Sequence, residues 1–224
     1  MIPIRKLLKF FLSVVILYFL MIMIVQFLFT QKTIANGFIK TTEKVVSLAL
    51  PQAYLAKVPP DKSQISRFEY FVDINYCNKN YYQDQILIAK QQGLKQVNFS
   101  FAVTTINYFG FVFINIAFLL SLILATPGTW KRKATNSTIG LLLFFIFHCI
   151  SMIMYMLHIF SGSKTGIYTW TLEYQSLLST IEIILELGGS LIFIILAWIF
   201  LMVRDKSLMS SIILLRNNTL AKRN

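Results

Sequence analysis

Four long apolar runs constrain what this chain of 224 residues can fold into. They cover about residues 7–29, 101–125, 139–160 and 183–203. Each is close to the ~20 residues that a helix needs to cross ~30 Å of hydrocarbon. Only 13% of the residues are charged, against about 25% in a soluble domain. Because the runs lack the alternation of barrel strands, the sequence predicts an all-α membrane protein with four transmembrane helices.

Basic residues cluster at both ends of the chain and between the second and third runs, and this pattern predicts topology. The positive-inside rule places both termini and the 127–138 loop in the cytoplasm. The 30–100 loop then lies outside, since long loops cross largely regardless of their charge. The net charge of +12 therefore indicates topology and contact with the lipid bilayer. A nucleic-acid partner is not expected, because a basic soluble face is missing.

The first run also resembles the core of a signal peptide, since Arg5, Lys6 and Lys9 precede it. Its length of about 23 residues exceeds the 7–15 residues of a signal core, which favours an uncleaved signal anchor. The predicted organisation is a signal anchor over 1–30, an extracytoplasmic subdomain over 31–100, a three-helix membrane region over 101–203 and a basic cytoplasmic tail over 204–224.

The extracytoplasmic segment is predicted to be a small mixed α/β subdomain. Residues 34–50 have apolar positions at helical spacing and predict an amphipathic helix, which Pro51 should end. Residues 68–76 alternate between apolar and polar side chains, which predicts a strand. Residues 84–93 predict a short helix or strand ending at Gly93. The many aromatic residues here either pack internally or form a face that binds a partner.

Neither a disulfide nor a metal centre is expected. Cys77 is predicted outside and Cys149 in mid-membrane, so they should not pair; Cys77 either bonds to another chain or stays a free thiol. His148 and His158 are ten residues apart on one predicted helix, or about 15 Å along its axis. They cannot bind one metal ion, whose ligands lie about 2 Å away. No cofactor is predicted.

Polar residues within the apolar runs are the candidate functional residues, because each costs free energy in lipid. His158 lies at a depth that matches Glu182 and Glu186, if the third and fourth runs pack together. His158 with Glu182 and Glu186 forms a candidate intramembrane contact between a histidine and carboxylates; alternatively, the three side chains extend separately to the interface. Residues expected to serve helix packing or hydrogen bonding are His148, Asn107, Asn115 and Gly189.

The stretch "LATPGTWKRKATNSTIGLLLFFIFHCIS" joins a Thr-Pro-Gly turn, a basic cluster and an apolar run with a central histidine. It resembles a segment of the small membrane proteins associated with bacterial exosortase systems, the exosortase H-associated type, over roughly residues 115–160. The resemblance implies a multi-pass accessory protein of the bacterial inner membrane that takes part in sorting surface proteins. The chain differs from exosortase itself, because Cys149 is at mid-depth and no run contains arginine.

The sequence thus favours a non-catalytic accessory or scaffold protein in envelope protein sorting or assembly. Its expected partner is another integral membrane protein, and self-association also stays open. The alternative is a membrane enzyme or small-solute transporter that uses Glu182, Glu186 and His158.

Overall fold

The computed structural model describes residues 4–30, 33–57, 71–94, 101–107, 109–162 and 167–204. These residues form mostly helices, with one small antiparallel sheet. The helices are α1 (Ile4–Thr30), α2 (Thr33–Ala49), α3 (Lys79–Gln91), α4 (Ile114–Ala125), α5 (Trp130–Gly162), α6 (Leu172–Ile184) and α7 (Ser190–Arg204). The strands are β1 (Ala53–Lys57), β2 (Phe71–Asn78) and β3 (Ala102–Asn107). Two π-helical segments, Phe109–Phe113 and Leu185–Gly189, precede α4 and α7.

Two of the helices, rather than four, are long and apolar enough to cross a membrane. Their apolar windows are Leu7–Ile24 in α1, which covers most of the predicted run 7–29, and Trp130–Ser161 in α5, which contains the whole predicted run 139–160. The other two predicted runs contain the shorter helices α4 and α7, of 12 and 15 residues. The prediction of four uninterrupted membrane helices is therefore wrong as stated, because both shorter runs change conformation along their length.

The second apolar run begins as a strand, which corrects the prediction of a helix from residue 101. Residues 102–107 form β3 and pair with β2 from Phe71↔Asn107 to Tyr76↔Ala102. The segment contains Val103, Thr104, Thr105 and Ile106, and β-branched side chains fit a pleated strand better than a helix. Asn107 therefore ends a strand while Asn115 lies in α4, so the two do not share a helix face.

The fourth run is broken at Gly188, which has φ +137°. This conformation is disfavoured for residues with a Cβ atom. An added Cβ would nevertheless meet nothing within 4 Å. The sequence places glycines here for close helix approach, but at Gly188 the structure requires glycine for the backbone conformation instead.

The basic residues expected in the 127–138 loop lie in the first turn of α5, which begins at Trp130. Lys133 Nζ donates a hydrogen bond to the carbonyl oxygen of Leu124, in the last turn of α4. Thr126 Oγ1 also donates to the Leu122 carbonyl, at 2.7 Å. Carbonyl groups in the last turn of a helix lack partners within the helix, so these two side chains supply hydrogen-bond donors for the carbonyl groups at the end of α4.

The chain divides into two compact units that do not follow its linear order. The helical unit comprises residues 1–27, 113–146 and 189–224, and the sheet unit comprises residues 28–112 and 147–188. In the helical unit, α4 and α7 are in contact. Phe10 of α1 stacks on Trp198 of α7 with ring centroids 5.8 Å apart. Tyr18 of α1 meets the ring of Phe118 in α4, also at 5.8 Å.

The sheet unit is organised around β2, the central strand of the order β1-β2-β3. Ile74 and Tyr76 of β2 are buried, as the predicted alternation requires, but Asp73 and Cys77 on the opposite face are buried too. Both faces of β2 are therefore buried at these positions. Strand β1 was not predicted. The part of the predicted strand before residue 71 lies outside the described residues.

Two predictions for this segment are confirmed. Helix α2 ends at Ala49, just before Pro51, as expected. Residues 84–93 belong to a helical segment, since α3 ends at Gln91 and Gly93 follows with φ +67°. A glycine in this left-handed conformation is a common helix terminator. Both cysteine thiols are buried and unbonded to each other.

Candidate functional site

Helices α5 and α6 bring His158 and Glu182 together. His158 Nε2 lies 3.0 Å from Glu182 Oε2, and the two side chains are 30% and 21% exposed. The sequence placed them as a pair only on condition that their segments pack as neighbours, and the structure shows this contact. Because each group is partly withdrawn from water, each satisfies the hydrogen-bonding demand of the other. A functional role for the pair remains a prediction.

The contact determines what the imidazole can do. Nε2 faces a carboxylate oxygen, so it carries a proton and donates. The other ring nitrogen, Nδ1, is buried and has no hydrogen-bond partner among the described residues. In the neutral ring this nitrogen would be a proton acceptor, as a general base requires. Since it is buried, a substrate could reach it only after the surrounding side chains move.

Neighbouring side chains on α5 bind other parts of the sheet unit. The hydroxyl groups of Tyr155 and Thr104 are 3.4 Å apart and join α5 to β3. Phe160 is fully buried and its ring centroid lies 5.2 Å from that of Tyr76 in β2. Ser161 Oγ donates a hydrogen bond of 2.7 Å to the carbonyl oxygen of His158. His158 is thus held within a packed helix end.

The remaining predicted site residues are not brought to this pair by any contact that the structure shows. His148 is buried in α5, ten residues before His158. Asn115 is half-buried in α4. Gly189 ends the π-helical segment before α7. The side chains of Glu186 and Asn107 lie outside the described part of the structure, so the proposed roles of both remain predictions.

A series of aromatic contacts begins at Phe160 and leads to an exposed surface, which the sequence analysis did not identify. Phe160 lies 6.4 Å from Tyr168, Tyr168 lies 6.3 Å from Trp170, and Trp170 lies 5.6 Å from Tyr174, measured between ring centroids. We call Trp170, Leu172 and Tyr174 the aromatic surface. Leu172 is 83% exposed and Tyr174 is 53% exposed. The sequence signal for it was the run "YTWTLEY", which is rich in aromatic residues and follows a membrane-length helix.

A second aromatic cluster links β1 to α3. The rings of Tyr54 and Tyr82 are stacked with centroids 3.9 Å apart, and Phe101 lies 6.2 Å from Tyr54. A hydrogen bond with the Tyr82 side chain, followed by burial, raises the pKa of Tyr54 from 10.0 to about 12. Both effects favour the neutral phenol over the phenolate.

Tyr54 is therefore expected to ionise after the ordinary tyrosines in an alkaline titration. Because its folded pKa is raised, its contribution to stability is complete below pH ~10 and is lost as the pH rises from about 10 towards 12. Tyrosinate absorbance measured on the wild type and on Tyr54→Phe should differ only by a late-titrating component. A difference that titrates near pH 10 would contradict the hydrogen bond with Tyr82.

Among the described residues, no group of three His, Cys, Asp or Glu side chains could hold a metal ion. Comparison with protein-family models, curated proteins and solved structures finds no match to this chain. The chemistry of the site therefore has to be judged from its own geometry. The resemblance to exosortase-associated proteins stays a hypothesis drawn from the sequence.

Proposed function

We propose that this protein is an integral membrane accessory protein that binds another membrane protein through the aromatic surface and does not itself catalyse a reaction. The exposed Trp170, Leu172 and Tyr174 carry this proposal. Aromatic residues are enriched at protein interfaces and at the interface of a membrane with water, because they combine a large apolar area with a polar group. The buried position of His158 Nδ1 also favours binding over catalysis.

The proposed membrane setting is supported by the apolar helices. Only 6% of the Leu7–Ile24 window is buried within the protein, and soluble proteins rarely expose large contiguous apolar patches. With its π-helical segment, the second run is helical over residues 109–125, a length near the range of about 17–25 residues that span a bilayer. The fourth run is helical on both sides of the break at Gly188, in α6 and α7. We therefore propose four spans, with both termini in the cytoplasm of a bacterial cell and residues 30–100 outside.

A role in sorting surface proteins is proposed on the sequence resemblance alone. It predicts that a strain lacking this protein retains unsorted surface proteins in its membrane fraction. The wild-type chain should restore sorting, whereas a chain with Trp170→Ser and Tyr174→Ser should reach the membrane but fail to restore it.

The partner is tested by placing a photo-activated cross-linking residue at Tyr174. The matched control places it at Lys90, an exposed residue of α3 in the same sheet unit. We expect one discrete cross-linked membrane protein from position 174 and none from position 90. The cross-link should disappear when Trp170→Ser and Leu172→Ser are added. Cross-links to lipid alone, or equal products from both positions, would contradict the proposed binding surface.

A membrane enzyme or small-solute transporter is the second candidate, and the 3.0 Å contact between His158 and Glu182 favours it. The double variant His158→Ala, Glu182→Gln separates the two functions. If the protein is an accessory, the variant should accumulate in the membrane and restore sorting as the wild type does. A variant that accumulates normally but restores nothing would support the second candidate. Glu186→Gln alone tests the other predicted carboxylate.

A further inference from the structure

Four helix ends meet at one end of the helical unit. Phe10, near the start of α1, stacks on Trp198 of α7. Trp198 Nε1 donates a hydrogen bond of 3.0 Å to Thr126 Oγ1, just after α4. Arg204, the last residue of α7, donates from an Nη atom to Asn136 Oδ1 in α5 at 3.1 Å. The start of α1, the end of α4, the start of α5 and the end of α7 therefore lie together.

This end of the helical unit is rich in basic residues. Residues 1–27, 113–146 and 189–204 contain seven basic residues and no Asp or Glu. The basic residues are Arg5, Lys6, Lys9, Lys131, Arg132, Lys133 and Arg204. Repulsion among these cations would be relieved by an anionic partner.

The structure separates cations that hold helix ends together from cations that face outward. Lys133 donates to the Leu124 carbonyl, and Arg204 binds the Asn136 amide oxygen. Both acceptors are neutral, so the positive charge remains. Arg5, Lys9 and Lys131 are exposed. Lys131 also lies in the first turn of α5, where the helix dipole disfavours a cation.

An exposed indole lies at the same start of α5 as Lys131 and Lys133. Trp130 is 78% exposed, and Lys133 Nζ is 5.4 Å from the centre of its ring. Tryptophan next to basic residues is typical of the boundary between lipid headgroups and water, where the ring contacts apolar carbon and the cations contact phosphate. A soluble anionic partner would explain the charge, but it would not explain the exposed indole at the end of a membrane-length helix.

We propose that this basic end, formed by Arg5, Lys9, Trp130 and Lys131, binds the phosphate groups of anionic phospholipids in the surrounding bilayer leaflet. The inference rests on the proposed membrane setting, but it is independent of any protein partner. Each exposed cation near an anionic surface should strengthen the preference for anionic over zwitterionic lipid roughly fivefold.

The test uses the purified full chain with equal amounts of phosphatidylglycerol and phosphatidylcholine. Lipid that stays bound after detergent purification is measured by mass spectrometry. We expect the wild type to retain phosphatidylglycerol preferentially, and Lys9→Gln with Lys131→Gln, which removes two cations, to lower that preference roughly 25-fold. The variant Lys9→Arg with Lys131→Arg keeps both charges and should keep the wild-type preference for phosphatidylglycerol.

The matched control is Lys79→Gln with Lys90→Gln, which removes two exposed charges from α3 of the sheet unit. It should keep the wild-type lipid preference. The proposal is overturned if the wild type shows no preference for phosphatidylglycerol, or if the control variant loses as much of that preference as the test variant does. It is also overturned if an added short RNA displaces the bound phosphatidylglycerol. The purified wild type is also reconstituted into nanodiscs made of each lipid. If it enters neither kind of nanodisc, the proposed membrane setting is overturned as well.

Discussion

Replacing Gly140 with leucine is expected to destabilise the helical unit by about 1–3 kcal/mol, the usual cost of overpacking a core. A Cβ atom at Gly140 would lie 3.1 Å from Ile123 Cδ1, 3.3 Å from Leu201 Cδ1 and 3.4 Å from Leu119 Cδ2. These atoms belong to α4 and α7, so the glycine is where α5 approaches both helices closely. A leucine side chain would have to displace all three neighbours.

Alanine at position 140 should cost much less, because the three atoms it meets are at the ends of flexible side chains. Ala134→Leu is the matched control, since it adds the same bulk at an exposed position of α5. Thermal unfolding measured in one detergent should give similar melting temperatures for the wild type, Ala134→Leu and Gly140→Ala. The melting temperature of Gly140→Leu should be clearly the lowest. Equal melting temperatures for both leucine variants would show that the approach at Gly140 is not close.

Replacing Thr105 with valine is expected to destabilise the sheet by about 1–3 kcal/mol, because it removes a hydrogen bond from a buried charged group. Asp73 is only 4% exposed, and Thr105 Oγ1 donates to Asp73 Oδ1 at 2.7 Å. The two residues are direct partners in the β2–β3 register. Valine has nearly the same shape as threonine, so the change removes the donor and leaves the packing volume intact.

Cys77 offers a local measurement of this effect. It lies in β2, it is buried, and burial raises the pKa of its thiol, so the folded sheet should protect it from alkylation. In a Cys149→Ser background, Thr105→Val should speed modification of Cys77 roughly 5- to 150-fold, the equivalent of the same free-energy range. Thr105→Ser retains the hydroxyl group and should stay near the wild-type rate. Equal rates for valine and serine would exclude a stabilising role for the hydrogen bond.

Local patterns predicted the elements whose cause is local. The uninterrupted apolar runs of α1 and α5 and the turn at Gly93 depend on residues close in the chain, so composition and spacing were sufficient. The start of the second run was mispredicted because its residues are apolar enough for a membrane helix yet pair with β2. Strand pairing depends on a partner elsewhere in the chain, and hydropathy alone contains no information about that partner.

The candidate site was predictable only in part. The depth of His158 along its helix follows from helical rise, and this identified Glu182 as a residue it could meet. Whether α5 and α6 pack together there, and which nitrogen faces the carboxylate, depends on side-chain packing. The buried Nδ1 atom changes the chemical interpretation, because it limits access to the only nitrogen available as a base.

By itself, the sequence determined that the chain is dominated by long apolar helices, that basic residues cluster at both chain ends and between the second and third apolar runs, and that a helix or strand should end at Gly93. These properties arise from residue type and local spacing. Only the tertiary structure decided that His158 meets Glu182, that Asp73 is buried against Thr105, and that Gly140 permits close packing of α5 on α4 and α7. Each of these depends on atoms brought together from distant parts of the chain, where burial and close packing determine the free energy.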